Sequence, residues 1–536
     1  MSKCGVILCE CNGAVERRIS LQELSHFLCN VAPDLEIVLG NNLCKPRELN
    51  LLLDRTKIHP SVIGACNAIQ SKTRVWQDID DTKINPCFTK VVDILSEINS
   101  SFSSIEVSDR TKLILWSQIS KAFSCGDISR DNLKVRFSSS QHEITRRNLP
   151  GALLPQYEII PSILNNDCLG SLKCKLCTDI CPVGAITDSN GKLKIAKSAC
   201  TGCGACVSAC PKGAVSYPGY SVAELEREIE GLLSKKVSLS NRILAIVCQS
   251  CLNSNENLSA AISPNMFTIK VPSLAVVSPL LLLNAFNIGV DGIILIHDEE
   301  NCSSKMSAGS LNKNIRFVQQ LFDRWQIDKK RIEYVNKANC SDAAICSELH
   351  RFNKMVIELG HTPFHFMAGS MTFEGMYSLA AIIKEMDTKL QLSDEGVFTD
   401  GCVPFGSVNI DQSHCTGCSV CAQSCPTGAI STQISDDSSN LKLNFQHNKC
   451  IACGICISIC PEKCIRFKKV LDFARLSDIK ETIFENDFVI CRNCSKPYAT
   501  KSMIDILKHK LEKAGIFSTE WTQYCPSCRI AIQQKR

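Results

Sequence analysis

The sequence predicts a multidomain α/β and α+β chain: two small parallel α/β domains interleaved with two modules built on tight cysteine runs, closed by a domain of paired C-x2-C hooks. Three observations predict it. A length of 536 residues is too great for a single core. Cysteine numbers 35, against an aromatic fraction of only 6%, which points to thiol–metal chemistry. Short apolar runs of strand length alternate with helical patterns in two separate stretches. In chain order the expected parts are an α/β domain at 1–100, a polar linker at 101–155, a cysteine module at 156–220, a second α/β domain at 240–360, a connector at 361–410, a second cysteine module at 411–470 and the hook domain at 485–536.

Composition narrows the function classes. Hydrophobic residues at 45% and charged residues at 21% exclude a disordered chain. The net charge of +5 forms no long basic run, so nucleic acid is not an expected partner. Met1-Ser2-Lys3-Cys4-Gly5 lacks the pattern of a signal peptide. The most apolar stretch, Val271 to Ile296, is broken by Pro272, Pro279, Asn284 and Asp291, and reads as strand, helix, strand rather than a membrane span. The odd cysteine count forbids full disulfide pairing within the chain, and so many thiols suit a reducing compartment, here the cytoplasm.

Residues 5–9, Gly-Val-Ile-Leu-Cys, read as a buried strand, with further strands at 35–40 and 61–66. Helical patterns at 20–31 and 46–57 lie between them, the second opened by Pro46. Cys9 and Cys11 end the first strand, Cys44 follows the second and Cys66 ends the third. In a parallel sheet these ends share one edge, where α/β folds hold ligands. The four thiols are therefore candidate ligands of one metal centre, with buried structural cysteines as the alternative. Ser100 to Ser104, Ser138 to Ser140 and Arg146 to Pro150 mark the polar linker that follows.

The cysteine runs carry the strongest signal. Cys200, Cys203, Cys206 and Cys210 before Pro211 have the spacing C-x2-C-x2-C-x3-C-P. Cys415, Cys418, Cys421 and Cys425 before Pro426 repeat it, as do Cys450, Cys453, Cys456 and Cys460 before Pro461. This resembles the bacterial ferredoxin run, in which three close thiolates wrap one 4Fe–4S cubane and the fourth ligates its neighbour. Crossing the fourth ligands pairs Cys460 with Cys415, Cys418 and Cys421, and Cys425 with Cys450, Cys453 and Cys456; paired zinc knuckles are the competing reading. The earlier module has a defect. Cys174, Cys177 and Cys181 before Pro182 match the end of a run whose first position is Ser171. Its complete site takes Cys200, Cys203, Cys206 and Cys181; the partner takes Cys174, Cys177, Cys210 and Cys168, with a three-iron or serine-ligated cluster as the fallback.

The middle stretch repeats the α/β argument. A strand at Arg242 to Val247 leads into Cys248-Gln-Ser-Cys251, one at Phe267 to Val271 leads to Ser273, and one at Gly292 to Ile296 leads to Cys302. Helices at 278–288 and 309–326 supply the crossovers. At the C-terminus, Cys491-Arg-Asn-Cys494 and Cys525-Pro-Ser-Cys528 are two hooks separated by 30 residues, with a helix expected over Lys501 to Lys513. Such hooks hold one structural zinc, and the same thiolates suit iron or a further 4Fe–4S cluster.

Two further resemblances rest on these residues. Gly5-Val-Ile-Leu-Cys9-Glu-Cys11-Asn-Gly13 with Gly64-Ala-Cys66 resembles the N-terminal domain of the A component of heterodisulfide reductase, in which the matching cysteines are associated with an iron–sulfur cluster. Ile243-Leu-Ala-Ile-Val-Cys248-Gln-Ser-Cys251, Ala285-Phe286, Gly289, Asp291-Gly292 and the spacing to Cys302 resemble the delta subunit of methyl-viologen-reducing hydrogenase. That resemblance implies a 2Fe–2S cluster and the passing of electrons between hydrogenase and heterodisulfide reductase, and both parallel α/β domains are expected to be flavodoxin-like. Ser273 replaces the cysteine that the family carries after Val-Pro, and His297 stands near another. The middle domain therefore holds either a 2Fe–2S cluster with His297 or Ser273 as the odd ligand, or no cluster at all.

No G-x-G-x-x-G follows a strand, so neither flavin nor NAD is expected on this chain. Four 4Fe–4S clusters, and a fifth at the N-terminus, imply an electron-transfer subunit of a multi-subunit anaerobic oxidoreductase. Expected partners are a flavoprotein, a hydrogenase, a formate dehydrogenase or heterodisulfide reductase-like subunits. The alternatives are a self-sufficient oxidoreductase with its substrate at a site-differentiated cluster near Cys168 or Cys302, and a scaffold that uses metal only to fold. Cys4, Cys29, Cys87, Cys125, Cys340, Cys346, Cys402 and Cys464 are expected to be buried apolar residues, His365, His414 and His447 solvated or satisfied, and Met367, Met371 and Met376 packing residues.

Overall fold

The computed structural model describes residues 5–43, 45–56, 60–65, 89–95, 102–124, 130–137, 155–171, 174–234, 241–252, 262–302, 308–337, 341–365, 379–516 and 519–533. Cys4, Cys44, Cys66, Cys87, Cys125, Cys340, Met367, Met371, Met376, Ser138 to Ser140 and Arg146 to Pro150 lie outside them. The chain divides into two compact units. The first comprises Met1–Leu164, Cys177–Thr187 and Lys194–Met376; the second comprises Asn165–Leu176, Asp188–Leu193 and Tyr377–Arg536.

The first unit holds two parallel four-stranded sheets. In the N-terminal sheet β1 (Gly5–Cys9) is buried throughout because helices cover both faces. Helix α1 (Leu21–Val31) starts at Ser20, whose hydroxyl accepts from the Glu23 N–H, and buries Leu21, Leu24 and Leu28 along one stripe. Strand β2 (Glu36–Gly40), helix α2 (Pro46–Thr56) and strands β3 (Pro60–Ala65) and β4 (Lys90–Asp93) complete the order β2-β1-β3-β4, every pair parallel.

Within the expected linker at 101–155, the described residues include a long helix. Helix α3 (Ser104–Ser124) begins with a reciprocal cap, in which Glu106 accepts from Ser103 while the Ser103 hydroxyl accepts from the Glu106 N–H. Val107, Leu113, Leu115 and Ile119 are buried on several sides because α3 lies against the sheet and against α4 (Val222–Leu232). A helix covered all round shows no single apolar stripe, which is why the pattern reads as a connector. Gly231 lets α3 and α4 approach closely: a Cβ there would stand 2.4 Å from the Ser117 Cα.

The middle sheet repeats the same plan. Strands β5 (Ile243–Cys248), β6 (Met266–Val271), β7 (Gly292–His297) and β8 (Ile332–Asn336) run parallel in the order β6-β5-β7-β8. Helices α5 (Pro279–Asn287), α6 (Ala308–Arg324) and α7 (Asp342–Leu359) connect and follow them. β5 and β7 are neighbours whose crossovers leave in different directions, so their C-terminal ends border the crevice where α/β sheets place ligands.

In the second unit the expected connector at 361–410 contains helix α8 (Leu379–Lys389) and strand β9 (Gly406–Ile410). The expected boundary between 411–470 and 485–536 is crossed by a sheet. β10 (Ile430–Ile434), β11 (Asn440–Phe445), β13 (Glu481–Ile490) and β14 (Pro497–Thr500) form one antiparallel sheet in that order, and β12 (Ile465–Lys469) pairs with β9. The second cysteine module therefore shares its sheet with the hook region. Helix α9 (Lys501–Lys513) starts at Thr500, whose hydroxyl caps the Met503 N–H. No helix among the described residues is long and apolar enough to cross a membrane.

Candidate metal centres

Three cavities are walled by thiols. Cys415, Cys418, Cys421 and Cys460 line one of about 320 Å³, part of it open to solvent. Cys425, Cys450, Cys453 and Cys456 line a second of about 350 Å³. Cys181, Cys200, Cys203 and Cys206 line a third of about 320 Å³ in the first unit. The remaining walls are mostly apolar, with Leu443 and Ile465 in the first and Phe445 and Phe467 in the second.

Local sequence sets the turn in each run. The second and fourth residues after the leading cysteine have left-handed backbone: Gly202 and Gly204, Gly417 and Ser419, Ala452 and Gly454. Alternating handedness turns successive N–H groups inward into a concavity for anions, as at iron–sulfur sites. The Gly202 N–H donates to Cys200 Sγ at 3.4 Å, and the Gly417 and Ala452 N–H groups do the same for Cys415 and Cys450. Burial, and after it the neighbouring thiols, push Cys421 and Cys456 up to about 12. Four thiolates so placed need a cationic core to be ionised together, and the donor set and dry walls fit a 4Fe–4S core.

Of the candidates for the incomplete run, Cys177 and Cys210 belong to the first unit, Cys168 and Cys174 to the second. Within the second unit, Cys168 Sγ accepts from the Gly170 N–H at 3.4 Å, the same bond that the leading cysteines of the complete runs make. The Ser171 hydroxyl is instead donated to the Asp188 carboxylate.

At the N-terminus Cys9 ends β1 and Cys11 follows in left-handed backbone. A hydrogen bond from Cys11, opposed by burial and aided by the Leu43 and Asn42 N–H groups, lowers the Cys9 thiol to about 6. Cys44 and Cys66 are the two candidates outside the described residues.

In the middle domain, Cys248 ends β5 and His297 ends β7. Cys248 Sγ and Cys302 Sγ stand 3.5 Å apart, and the Ser273 Oγ is 3.5 Å from Cys302 Sγ. The Cys248 and Cys302 sulfurs and a ring nitrogen of His297 all lie within 4.8 Å of one another. Cys251 is also buried, its Sγ 3.8 Å from the Ile296 carbonyl. At the C-terminus the four Sγ atoms of Cys491, Cys494, Cys525 and Cys528 lie within 4.8 Å of one another. Cys491 Sγ accepts from the Cys525 N–H at 3.2 Å, and the Asn493 amide donates to Cys528 Sγ at 3.3 Å.

Sequence reasoning missed several residues. Cys464 is a fifth thiol on the first cavity, 3.6 Å from Cys460 Sγ; its place four residues after Cys460, in C-P-x-x-C, was the available signal. Tyr334, which contacts His297, and Glu299, which accepts from the Tyr334 hydroxyl, left none. Asp291, His361 and His365 also gather, but the Asp291 carboxylate accepts from the Thr362 and Arg242 N–H groups and the two rings stack at 3.8 Å, so the cluster locks β7 to the end of α7. His447 is satisfied by the Gly406 carbonyl and the Asp472 N–H.

Comparison with known proteins agrees with this geometry. Residues 243–360 match the family model of the methyl-viologen-reducing hydrogenase delta subunit, and residues 168–215 and 407–461 each match a 4Fe–4S dicluster domain. One part of the chain is thus similar to the delta subunit of that hydrogenase, and two parts to 4Fe–4S dicluster domains. A curated iron-sulfur protein of Rhodospirillum rubrum is 31% identical over 77 residues, which is 14% of this chain and 35% of that protein. The chain thus spans about a third of the length of the curated relative it matches. The two dicluster domains account for the cysteine runs, and the delta-subunit domain coincides with the middle sheet and its helices.

Proposed function

We propose that the chain relays single electrons within a multi-subunit anaerobic oxidoreductase of the heterodisulfide reductase–hydrogenase type. The observation that carries this reading is the closure of three thiol-walled cavities by the crossed pattern of cysteines. A 4Fe–4S cluster held there accepts and releases one electron at a time, at a potential set by burial and by hydrogen bonds to its sulfurs. The protein's part is to supply those sulfurs, donate the Gly202, Gly417 and Ala452 N–H groups to them, and exclude water with walls such as Phe445 and Phe467.

A fourth cluster at Cys168, Cys174, Cys177 and Cys210 is supported by the Gly170 N–H bond to Cys168 and by a dicluster match that begins at residue 168. A fifth would take Cys9, Cys11, Cys44 and Cys66, of which Cys9 ends β1 and Cys11 follows it in left-handed backbone. The C-terminal quartet is compact enough for one tetrahedral ion, which favours structural zinc. The reading places the protein in the cytoplasm. Its donor and acceptor would be drawn from a hydrogenase, a formate dehydrogenase, a flavoprotein and heterodisulfide reductase-like subunits.

Anaerobic purification with iron and acid-labile sulfide analysis tests the reading. Roughly 16 irons and as many sulfides per chain are expected from four cubanes, with low-potential cubane signals on reduction and redox subunits co-purifying. Zinc with essentially no sulfide would overturn it.

A further inference from the structure

The middle domain's thiol site has the wrong shape for the two-iron cluster that its family resemblance implies. Ligands on opposite irons of such a cluster are held apart by the second iron and the bridging sulfides. Here Cys248, Cys302 and His297 bring their ligand atoms within 4.8 Å of one another. Around one tetrahedral ion with bonds of about 2.0–2.3 Å, ligand atoms stand roughly 3.3–3.8 Å apart, and the Cys248–Cys302 separation of 3.5 Å falls in that range. The same chain supplies the contrast. Among the described residues, none of the ferredoxin-type quartets is drawn this close, whereas the four C-terminal hook cysteines are.

The histidine has a ring nitrogen available for the task. His297 is buried, and its Nε2 has no hydrogen-bond partner. On the other side of the ring, Nδ1 lies 3.4 Å from the Tyr334 hydroxyl, which itself donates to Glu299 at 2.6 Å. With the Tyr334 proton committed to Glu299, its oxygen accepts from Nδ1–H, and this tautomer leaves a lone pair on Nε2. A ligating imidazole is held in this way, its far nitrogen donating into a chain that ends on a carboxylate. An unpaired buried nitrogen is otherwise costly, and a metal ion satisfies it.

We propose that the middle domain binds a single tetrahedral metal ion with Cys248 Sγ, Cys302 Sγ and His297 Nε2 as three of its four ligands and with Tyr334 and Glu299 as positioning residues, in place of a two-iron cluster. Two thiolates and an imidazole suit zinc or a lone iron. With zinc at the site, electrons pass through the dicluster domains and the middle domain contributes a redox-independent fold.

The test uses the full chain, purified without oxygen, in a Cys491→Ser/Cys525→Ser background that removes the C-terminal site. Zinc, iron and acid-labile sulfide are counted per chain with and without Cys302→Ser, His297→Ala or Tyr334→Phe. Cys302→Ser and His297→Ala are expected to remove one metal equivalent and no sulfide. Tyr334→Phe, which keeps the ring and the packing, is expected to retain the ion but lose it to a chelator about 10–100-fold more readily. Loss of two irons together with two sulfides in Cys302→Ser would overturn the proposal, as would unchanged metal in all three variants. The cubane iron is read in the same samples, so failure of the electron-relay reading, seen as missing sulfide throughout, is distinct from failure here.

Discussion

The Ser208 hydroxyl donates a 2.8 Å hydrogen bond to the carbonyl of Ala275, two residues beyond the buried Ser273. It ties the short helix Ala205–Ala209, which follows the candidate ligand Cys203, to the turn that borders the Cys248–Cys302 site. Cys203, Ala205 and Ala275 pack in one cluster, so the complete site of the first dicluster domain is seated on the middle domain within the first unit.

That seat depends on Gly204. Its φ is +78°, and a Cβ would stand 2.3 Å from Val276 Cγ1. Gly204→Ala is expected to destabilise the first unit by at least about 1–2 kcal/mol from backbone strain alone, with the clash in addition. Ser208→Ala should cost about 1 kcal/mol. Anaerobic thermal unfolding reads both, and an unshifted midpoint for Gly204→Ala would remove the contact from the account.

Lys121 and Glu228 form a buried pair at 2.6 Å between α3 and α4. Burial opposes both charges, yet their mutual attraction outweighs it, leaving Glu228 below the ordinary carboxylate range and Lys121 above the ordinary lysine range. Glu228 therefore contributes stability above about pH 4.3, lost as pH falls through its depressed folded value; Lys121 contributes below about pH 10.4, lost as pH rises through its raised one. Glu228→Gln strands a buried ammonium and should cost about 3–5 kcal/mol. Denaturant titration at pH 7 and pH 3.5 should show that difference shrinking at the lower pH.

Cys168 and Ser171 compete for the leading position of the incomplete run. Because Cys168 accepts the Gly170 N–H bond and Ser171 is engaged with Asp188, Cys168→Ala should lower iron by one to four atoms per chain, while Ser171→Ala leaves iron unchanged. Equal losses in the two variants would contradict this assignment.

Cys460 and Cys464 share one cavity. Cys460, which precedes Pro461, fits the crossed ligand pattern, so Cys460→Ala should reduce cubane iron in the second unit. Cys464→Ala should leave the iron count intact and shift only the reduction potential, since it removes a buried thiol beside the ligand sulfurs. Matching iron and sulfide counts against a redox titration separates the two roles.

Much of this architecture is written locally. The spacing from Cys415 to Cys421 and the left-handed positions Gly417 and Ser419 bring three thiols to one cavity within a short stretch of chain. The apolar runs that became β1, β5 and β7 are equally legible, since a strand buried on both faces needs continuous hydrophobicity. Helix α3 was not, because its neighbours cover several of its sides, nor was the sheet that joins β11 to β13 across an expected domain boundary.

By itself the sequence determined the cysteine runs and the parallel α/β stretches beside them, because in each complete run three of the four cysteines lie within seven residues of one another. Only the tertiary structure decided what surrounds those thiols. Tyr334 reaches His297 across 37 positions and Cys302 reaches Cys248 across 54. The shape of that site depends on where separate strands end on a common sheet edge, and no short-range pattern encodes that distance.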